Sequence, residues 1–402
     1  MREPFNTAIP IIEKIEAAGY EAYFVGGSIR DYLLQRTIED VDIATSALPH
    51  EIKALFPKTV DIGIEHGTIL VIHNGKGYEV TTFRTESIYK DHRRPEHVTF
   101  IRSLEEDLKR RDFTMNAIAM NKKEELIDPF NGQLAIKKKL IETVGDPEER
   151  FHEDALRMLR AVRFVSQLHF QLHEKTKEAL TTSAPLLQHI AVERKTMEFT
   201  KLLKGKNKKA AFHILIDTGV YRYLPGLSEG KQVLQKSTSL QMDDLTENQM
   251  WLVILFYLQT NQVPEFLRKW KLPAKKINYL TNAFHYLKTR MEKAWTLYRL
   301  YEAKLETATD VETVYLTLKQ LPVQPGIDHI QSQFYQMKIT DRKELAVDGR
   351  DLMAWFQRPG GPWIKKVLEK VEVAILNKEI KNEKEPIREW LQSCNHQSEK
   401  NY

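Results

Sequence analysis

Two aspartates one residue apart, Asp40 and Asp42 in "DVDIAT", give the chain its plainest chemical signal. Read as a strand, the segment sends residues i and i+2 to one face, so the two carboxylates project together while Val41 and Ile43 enter a core. Like charges held side by side call for a bridging cation. A pair of hard oxygen ligands suits Mg²⁺, which takes one or two carboxylates plus substrate phosphates rather than a full protein cage. A solvated strand face is the plain alternative. Just upstream, Gly26 and Gly27 of "VGGSIRD" end one predicted strand and open a helix, so backbone amides and the helix N-terminus can face an anion. Ser28 adds a hydroxyl donor and Arg30 a forked cation for phosphate; without an anion the stretch is a tight turn capped by Ser28. Glu79 in "YEVTTFR" takes the strand face opposite Tyr78, Val80 and Thr82. It becomes a third carboxylate if its strand neighbours the aspartates, and is otherwise an exposed edge glutamate.

Further along, "KRRDFTMNAIAM" sets Arg110, Arg111 and Asp112 before an apolar segment, with Asn116 four residues after Asp112. A guanidinium can hold a triphosphate or ribose oxygen and an aspartate can accept from a ribose hydroxyl; a helix start with an acidic N-cap has the same appearance. In "HEDALRMLRAVRF", Asp154, Arg157, Arg160 and Arg163 recur every three residues and predict one slowly drifting helical face. Asp154 with Arg157 is also a routine i,i+3 ion pair, yet three arginines on one face repel each other without an anion. Base chemistry gives that face a sharper use. Cytosine and adenine each present an amino donor beside a ring-nitrogen acceptor, which a carboxylate plus a guanidinium can pair. Uracil and guanine present the opposite order. Asp154 and Arg157 could therefore select C or A over U or G without a template, leaving Arg160 and Arg163 for phosphates.

The elements that must position these residues divide the chain. "FNTAIPIIEKIEAAG" has a helical apolar stripe, "YEAYFV" and "DVDIAT" are strand candidates, and "TILVIHNGKGYEVTTFR" is a hairpin turning at "HNGKG". From about Gly145 the strand signals fade and helical spacing takes over, punctuated by "YLPGL" and "QRPGGPW". The fold class is α+β, a small mixed sheet with helices followed by an all-helical remainder. With 402 residues, two or three domains are expected. Hydrophobic residues make up 42% and charged residues 29%, the balance of a soluble globular protein. The chain contains no apolar run long enough for a membrane helix and its first residues lack a signal-peptide core, so it is read as cytoplasmic. The single cysteine, Cys394, excludes an internal disulfide and argues against a cysteine-based metal site. A net charge of +5 permits a polyanionic partner without requiring one.

Taken in order, "GGSIRD", "DVDIA", "EVTTFR", "RRDFTMNA", "DPFNG", "EDALRMLRAVRF" and "VERKTMEFTKLL" resemble the motifs of the class II CCA-adding enzymes, tRNA nucleotidyltransferases of the polymerase-β-like superfamily. The resemblance is continuous over the first half and looser in the helical second half. It implies a nucleotidyltransferase head over 1–140, a base-recognising neck over 141–203, a body over 204–286 and a tRNA-binding tail over 287–402. It implies that Asp40 and Asp42 bind two Mg²⁺ ions, with Glu79 as the third catalytic carboxylate, and that C, C and A are added to the tRNA 3′ end from CTP and ATP with release of pyrophosphate. Gly27, Ser28 and Arg30 would then hold the triphosphate, Arg111 with Asp112 the ribose, and Asp154 and Arg157 the base, with Arg160 and Arg163 completing the nucleotide site. In such enzymes a flexible loop corresponding to Thr85–Phe100, with "DHRRP", enables the change from C to A. "RKWKLPAKK" and "RPGGPWIKK" are candidate RNA contacts, and a homodimer is compatible with the family. A bacterial poly(A) polymerase, an A-adding member of a split pair, and a catalytically dead RNA-binding module are the rival readings.

Overall fold

The structure, a computed structural model, describes residues 3–86, 89–90, 94–95 and 98–398. They form two compact units, residues 1–238 with 269–271 and residues 239–268 with 272–402. The first unit opens with α1 (Phe5–Ala17), β1 (Ala22–Val25), α2 (Gly27–Leu33), β2 (Asp42–Thr45), α3 (Pro49–Leu55), β3 (Thr59–Gly63), β4 (Thr68–His73) and β5 (Lys76–Thr82). Two short pairs follow, β6 (Arg84–Glu86) with β9 (Val98–Phe100) and, between them, β7 (Tyr89–Lys90) with β8 (Arg94–Pro95). Then come α4 (Leu104–Lys109), β10 (Ala119–Met120), β11 (Leu126–Ile127), α5 (Gly132–Lys138) and β12 (Leu140–Ile141). What the sequence suggests of "DHRRP" falls largely on residues outside those described.

Seven strands make one mixed sheet in the order β11-β10-β1-β2-β5-β4-β3. The predicted hairpin is β4–β5, turning at Asn74 and Gly75, and β2 lies between β1 (antiparallel) and β5 (parallel). One sheet face is an ordinary hydrophobic core: Ile43, Val80, Ile69 and Val71 are fully buried, as are Ile11, Ile12 and Ile15 of α1 and Ile52 of α3. Packing these side chains away from water is what fixes the strand register, because a one-residue slip would exchange the faces. β2 is shorter than its sequence suggests. It begins at Asp42, so Asp40 stands in the extended segment before the strand and not on its face.

The remainder of this unit is helical: α6 (Pro147–Glu153), α7 (Leu156–Leu168), α8 (Glu174–Ser183), α9 (Val192–Leu203), α10 (Lys208–Asp217) and α11 (Lys231–Thr238). A two-residue strand, β13 (Gln171–Leu172), pairs in parallel with β12. The continuous helix expected through Asp154 is broken there. Asp154 has φ −135° and ψ 102°, and its Oδ1 accepts from the Leu156 amide at 3.0 Å. An aspartate offers its own carboxylate to nearby amides, which stabilises a break over a helix interior. The arginines at 157, 160 and 163 therefore share α7 while Asp154 sits at its entrance.

The second unit is built from helices, among them α12 (Glu247–Leu258), α13 (Val263–Lys269, whose last residue belongs to the first unit), α14 (Ala274–Glu292), α15 (Leu297–Leu318), α16 (Val323–Tyr335), α17 (Gly349–Phe356), α18 (Pro362–Leu376) and α19 (Lys384–Ser398). Tyr301, Val371, Ile375 and Ile387 lie in one of its cores, where buried Glu372 accepts from Tyr301 and from both arms of Arg342. No helix among the described residues is long and apolar enough to cross a membrane.

Candidate active site

The end of β1 and the start of α2 make the turn that the paired glycines predict. Gly26 has φ 72° and ψ −137°, a conformation closed to residues with a side chain, and a Cβ there would lie 3.1 Å from an Arg111 nitrogen and 3.6 Å from Asp42. The chain thus brings backbone, guanidinium and carboxylate together. The first amides of α2 lack intrahelical acceptors and open toward the same space. Ser28 differs from expectation. Its hydroxyl donates to the Val25 carbonyl at 2.8 Å, so it braces the turn and only its backbone can serve an anion. Arg30 donates to Asn116 Oδ1 at 2.8 Å and to both oxygens of Asp31, which fixes its guanidinium over the Phe164 ring.

Asp42 lies beside Glu79 in the parallel register of β2 and β5, so their side chains share a face. The neighbour condition set for Glu79 by the sequence is met in the fold. Burial, then the charges of Glu79 and Asp40, push the Asp42 carboxyl up, and Arg111 offsets this only in part. A cation is what this electrostatic deficit lacks. Among the described residues no three His, Cys, Asp or Glu side chains converge to cage an ion. The donor set of Asp42 and Asp40, both lining the same 430 Å³ recess with Gly27, therefore fits an ion that takes its remaining ligands from substrate phosphates.

A second cleft of about 720 Å³, the size of a nucleotide site, extends from Gly26, Gly27 and Asp42 to α7 and α9. Eight arginines line it (30, 84, 110, 111, 157, 160, 163 and 194) against three aspartates (42, 112 and 154), which makes it a polyanion site. Asp107 is buried and accepts from Arg110 at 2.8 Å and Arg111 at 3.1 Å. Although burial alone would raise its pKa, the charges of Arg111 and Arg110 hold it below the usual range. The buried Nε of Arg111 has no partner among the described residues, a donor left for a ligand.

The arginine row of α7 does not wait on a ligand anion to relieve its repulsion. Each member has its own carboxylate: Arg157 with Glu153 at 2.5 Å, Arg160 with Asp112 at 2.6 Å and Arg163 with Glu198 at 2.9 Å. Asp154 likewise goes to Arg194, at 2.7 and 3.2 Å, and not to Arg157. Asp112, Glu198 and Arg194 come from distant elements that periodicity along one helix cannot reveal, whereas Glu153 lies four residues before Arg157, a spacing that local reading does reach. Arg194 and Glu198 do fall four apart in "VERKTMEFTKLL", one face of α9, and that spacing is the signal that would have found them. Arg157 also donates to the Arg110 carbonyl at 3.1 Å, tying α7 to the segment that holds Arg111.

Asp112 is more enclosed than a ribose contact would be. Its oxygens accept from the Phe113 amide, Asn116 and Arg160. Burial raises its pKa, but the Arg160 charge and the hydrogen bonds of Asn116 and Arg160 outweigh it and bring it to about 2. A carboxyl depressed below its unfolded value near 3.8 contributes stability above that pH and loses it as pH falls through the folded value. Asp112→Asn is therefore expected to lower stability by roughly 2 kcal/mol at neutral pH. Its deficit relative to wild type should shrink between about pH 4 and pH 2. Urea melts across that range check it, and a deficit independent of pH would contradict the ion-pair account.

Of the two basic segments, "RKWKLPAKK" contributes a fully buried Trp270 and a Lys271 paired with Glu193, so less of it is exposed than its composition suggests. "RPGGPWIKK" places Gly361 before α18, with the Trp363 indole donating to the Pro359 carbonyl at 2.9 Å.

The chain matches the Poly A polymerase head domain family over residues 22–142, the "Probable RNA and SrmB- binding site of polymerase A" family over 169–230, and tRNA nucleotidyltransferase domain 2 over 244–391. It is 50% identical over 403 residues to the CCA-adding enzyme of Geobacillus kaustophilus, covering 100% of both chains. The identity to the Listeria monocytogenes CCA-adding enzyme is 49% over 396 residues, covering 97% of this chain and 99% of that one. The crystal structure of the Bacillus stearothermophilus CCA-adding enzyme in complex with CTP superposes with a TM-score of 0.91 at 47% identity, covering 100% of both.

Proposed function

The chain belongs to the family of CCA-adding enzymes, and from that premise we propose how its residues add C, C and A to the 3′ end of tRNA from CTP and ATP. The observation that carries the reading is the single arginine-rich cleft running from the Asp42 carboxylate to Asp154 and Arg157. Gly26 and Gly27 present backbone to the triphosphate, and Arg30 and Arg111 add fixed cations, the spare Nε of Arg111 included. Arg160, held by Asp112, and Arg163 extend the positive field along α7. Asp112 and Asn116 shape the ribose end through Arg160 and Arg30. Asp40 and Asp42 would hold Mg²⁺, two ions by the expectation above, with Glu79 reinforcing the negative field. Bound there, Mg²⁺ supplies a Lewis acid that polarises the α-phosphate and favours an ionised attacking hydroxyl. Pyrophosphate leaves toward the arginines.

Base choice belongs to Asp154 and Arg157. Arg194 orients the Asp154 carboxylate, and among the described residues Oδ2 accepts only from it, keeping a lone pair for the amino group of cytosine or adenine. Glu153 holds the Arg157 guanidinium beside it for the ring nitrogen. The head is assigned to 1–140, the neck to 141–203, the body to 204–286 and the tail to 287–402, with "RKWKLPAKK" and "RPGGPWIKK" as phosphate contacts for tRNA. The setting is the cytoplasm, and a homodimer is the assembly to look for.

Transcripts ending at the discriminator base, at C and at CC, incubated with Mg²⁺ and each nucleotide singly or together, test the reading. Growth that stops at CCA is expected. A ladder of A residues would select a poly(A) polymerase, arrest at CC a CC-adding enzyme, and no incorporation on the shortest transcript an A-adding one.

A further inference from the structure

The glycine turn, with Arg30 and Arg111 beside it, lies on the β1 side of Asp42. Asp42 stands opposite Val25 of β1, which leads into Gly26, and opposite Glu79 of β5 on the other side. In-line displacement places the attacking oxygen and the leaving pyrophosphate on opposite sides of the α-phosphorus. With Gly27, Arg30 and Arg111 gathering the phosphates on the β1 side, an inference that rests on the function proposed above, the attacking 3′ hydroxyl arrives across β5.

The sheet continues in that direction. Glu79 faces Leu70 on β4 and Leu70 faces Val60 on β3, so Asp42, Glu79, Leu70 and Val60 form one row on a single face. Three strand spacings put Val60 roughly 14 Å from Asp42. In the next row Ile72 faces Gly77 and donates its amide to the Lys58 carbonyl at 3.0 Å. The reverse face is closed, with Ile69 and Val71 fully buried, but this one is open: Val60 is 48% exposed and Leu70 and Ile72 are half-buried. Val60, Ile62 and Ile64 are three of the seven large hydrophobic residues exposed among the described residues. A monomer gains nothing from an apolar strip beside its catalytic carboxylates unless something lies on it.

We propose that the unpaired 3′ end of the RNA acceptor lies on this strip, its bases against Leu70 and Val60, its terminal hydroxyl at Glu79 and Asp42, and a phosphate near exposed Lys58. The apolar character suits the task. The acceptor end changes at every step, from the discriminator base to C to CC, and a subsite built on hydrogen bonds to one base would reject the others. An aliphatic surface offers contact to any base face and tolerates all three ends. The strip is continuous with the catalytic carboxylates, where the RNA end must react, which favours RNA over a second copy of the chain.

Two measurements test this. In the Val60→Asp/Leu70→Gln variant, the KM for a transcript ending in CC is expected to rise roughly 10-fold or more, the size expected for losing two aliphatic contacts, with CTP and ATP binding in the absence of RNA unchanged. Because such a variant can perturb the sheet, the wild-type protein is also irradiated with a transcript carrying 4-thiouridine at the discriminator position, and the crosslink is expected within residues 58–72. An unchanged KM for RNA, or a crosslink confined to other segments, overturns the proposal. So does a variant that alters only sedimentation, which would give the strip to a second copy. Wild-type extension of the same transcript separates this failure from failure of the CCA-adding assignment itself.

Discussion

Replacing Asp42 with alanine is expected to abolish addition of all three nucleotides, by at least about 10³-fold in kcat, while leaving tRNA binding intact. The magnitude follows from its place. Asp42 is the half-buried carboxylate that stands beside Glu79 and lines both the arginine-rich cleft and the recess shared with Asp40. The same placement carries a second expectation with the opposite sign. Its carboxyl is pushed up by burial and by the charges of Glu79 and Asp40, which Arg111 offsets only in part, so in the metal-free protein folding makes ionisation harder than it is in the unfolded chain. A raised acid costs stability at pH values above its unfolded pKa, and Asp42→Asn should therefore melt no lower than wild type at neutral pH without Mg²⁺. Filter binding of tRNA, single-turnover incorporation and thermal melts check the three parts. Retained incorporation would remove Asp42 from the reaction, and a large fall in melting temperature would make it a structural residue.

Arg157→Ala is expected to relax base choice more than rate. Discrimination of C over U should fall by the value of one well-placed hydrogen-bonding group, about 1–3 kcal/mol, or roughly 5- to 150-fold. Both UTP and GTP should then be incorporated measurably. Arg157 is 7% exposed, anchored to Glu153 at 2.5 Å and to the Arg110 carbonyl, so its guanidinium is preorganised and a lysine would not reproduce the fork. Arg194→Ala is expected to act in the same sense, through the looser carboxylate of Asp154. Competition between CTP and UTP on one transcript measures both. Unchanged discrimination in Arg157→Ala would show that the base is read elsewhere.

The local features of this site are legible in the residues, and the pairings are not. Paired glycines between a strand and a helix have few structural uses, and the turn they predict is present with the left-handed φ that only glycine accepts easily. Strand alternation correctly put Glu79 on the face opposite Tyr78 and Val80, although only the sheet order could bring it beside Asp42. Helical spacing correctly grouped Arg157, Arg160 and Arg163. It failed at Asp154, where a side-chain cap competes with the helix, and at Asp40, which precedes the strand instead of lying on it. Two of the three carboxylates that neutralise the arginine row, Asp112 and Glu198, lie 48 and 35 residues from Arg160 and Arg163, and no local period reports contacts of that range; the third, Glu153, is four residues from Arg157. That long-range neutralisation changes the chemistry inferred. The arginines are not a bare positive strip awaiting an anion but a set of guanidiniums each aimed by its own acid.

We propose that the protein itself reads the base, through Asp154 and Arg157, with no nucleic-acid template. Equilibrium binding of CTP, ATP, UTP and GTP to the protein without RNA tests it most directly. CTP and ATP are expected to bind roughly 10-fold or more tighter than UTP and GTP, and Arg157→Ala to narrow the gap. Equal affinity for all four nucleotides, or a preference that emerges only when tRNA is present, would contradict it.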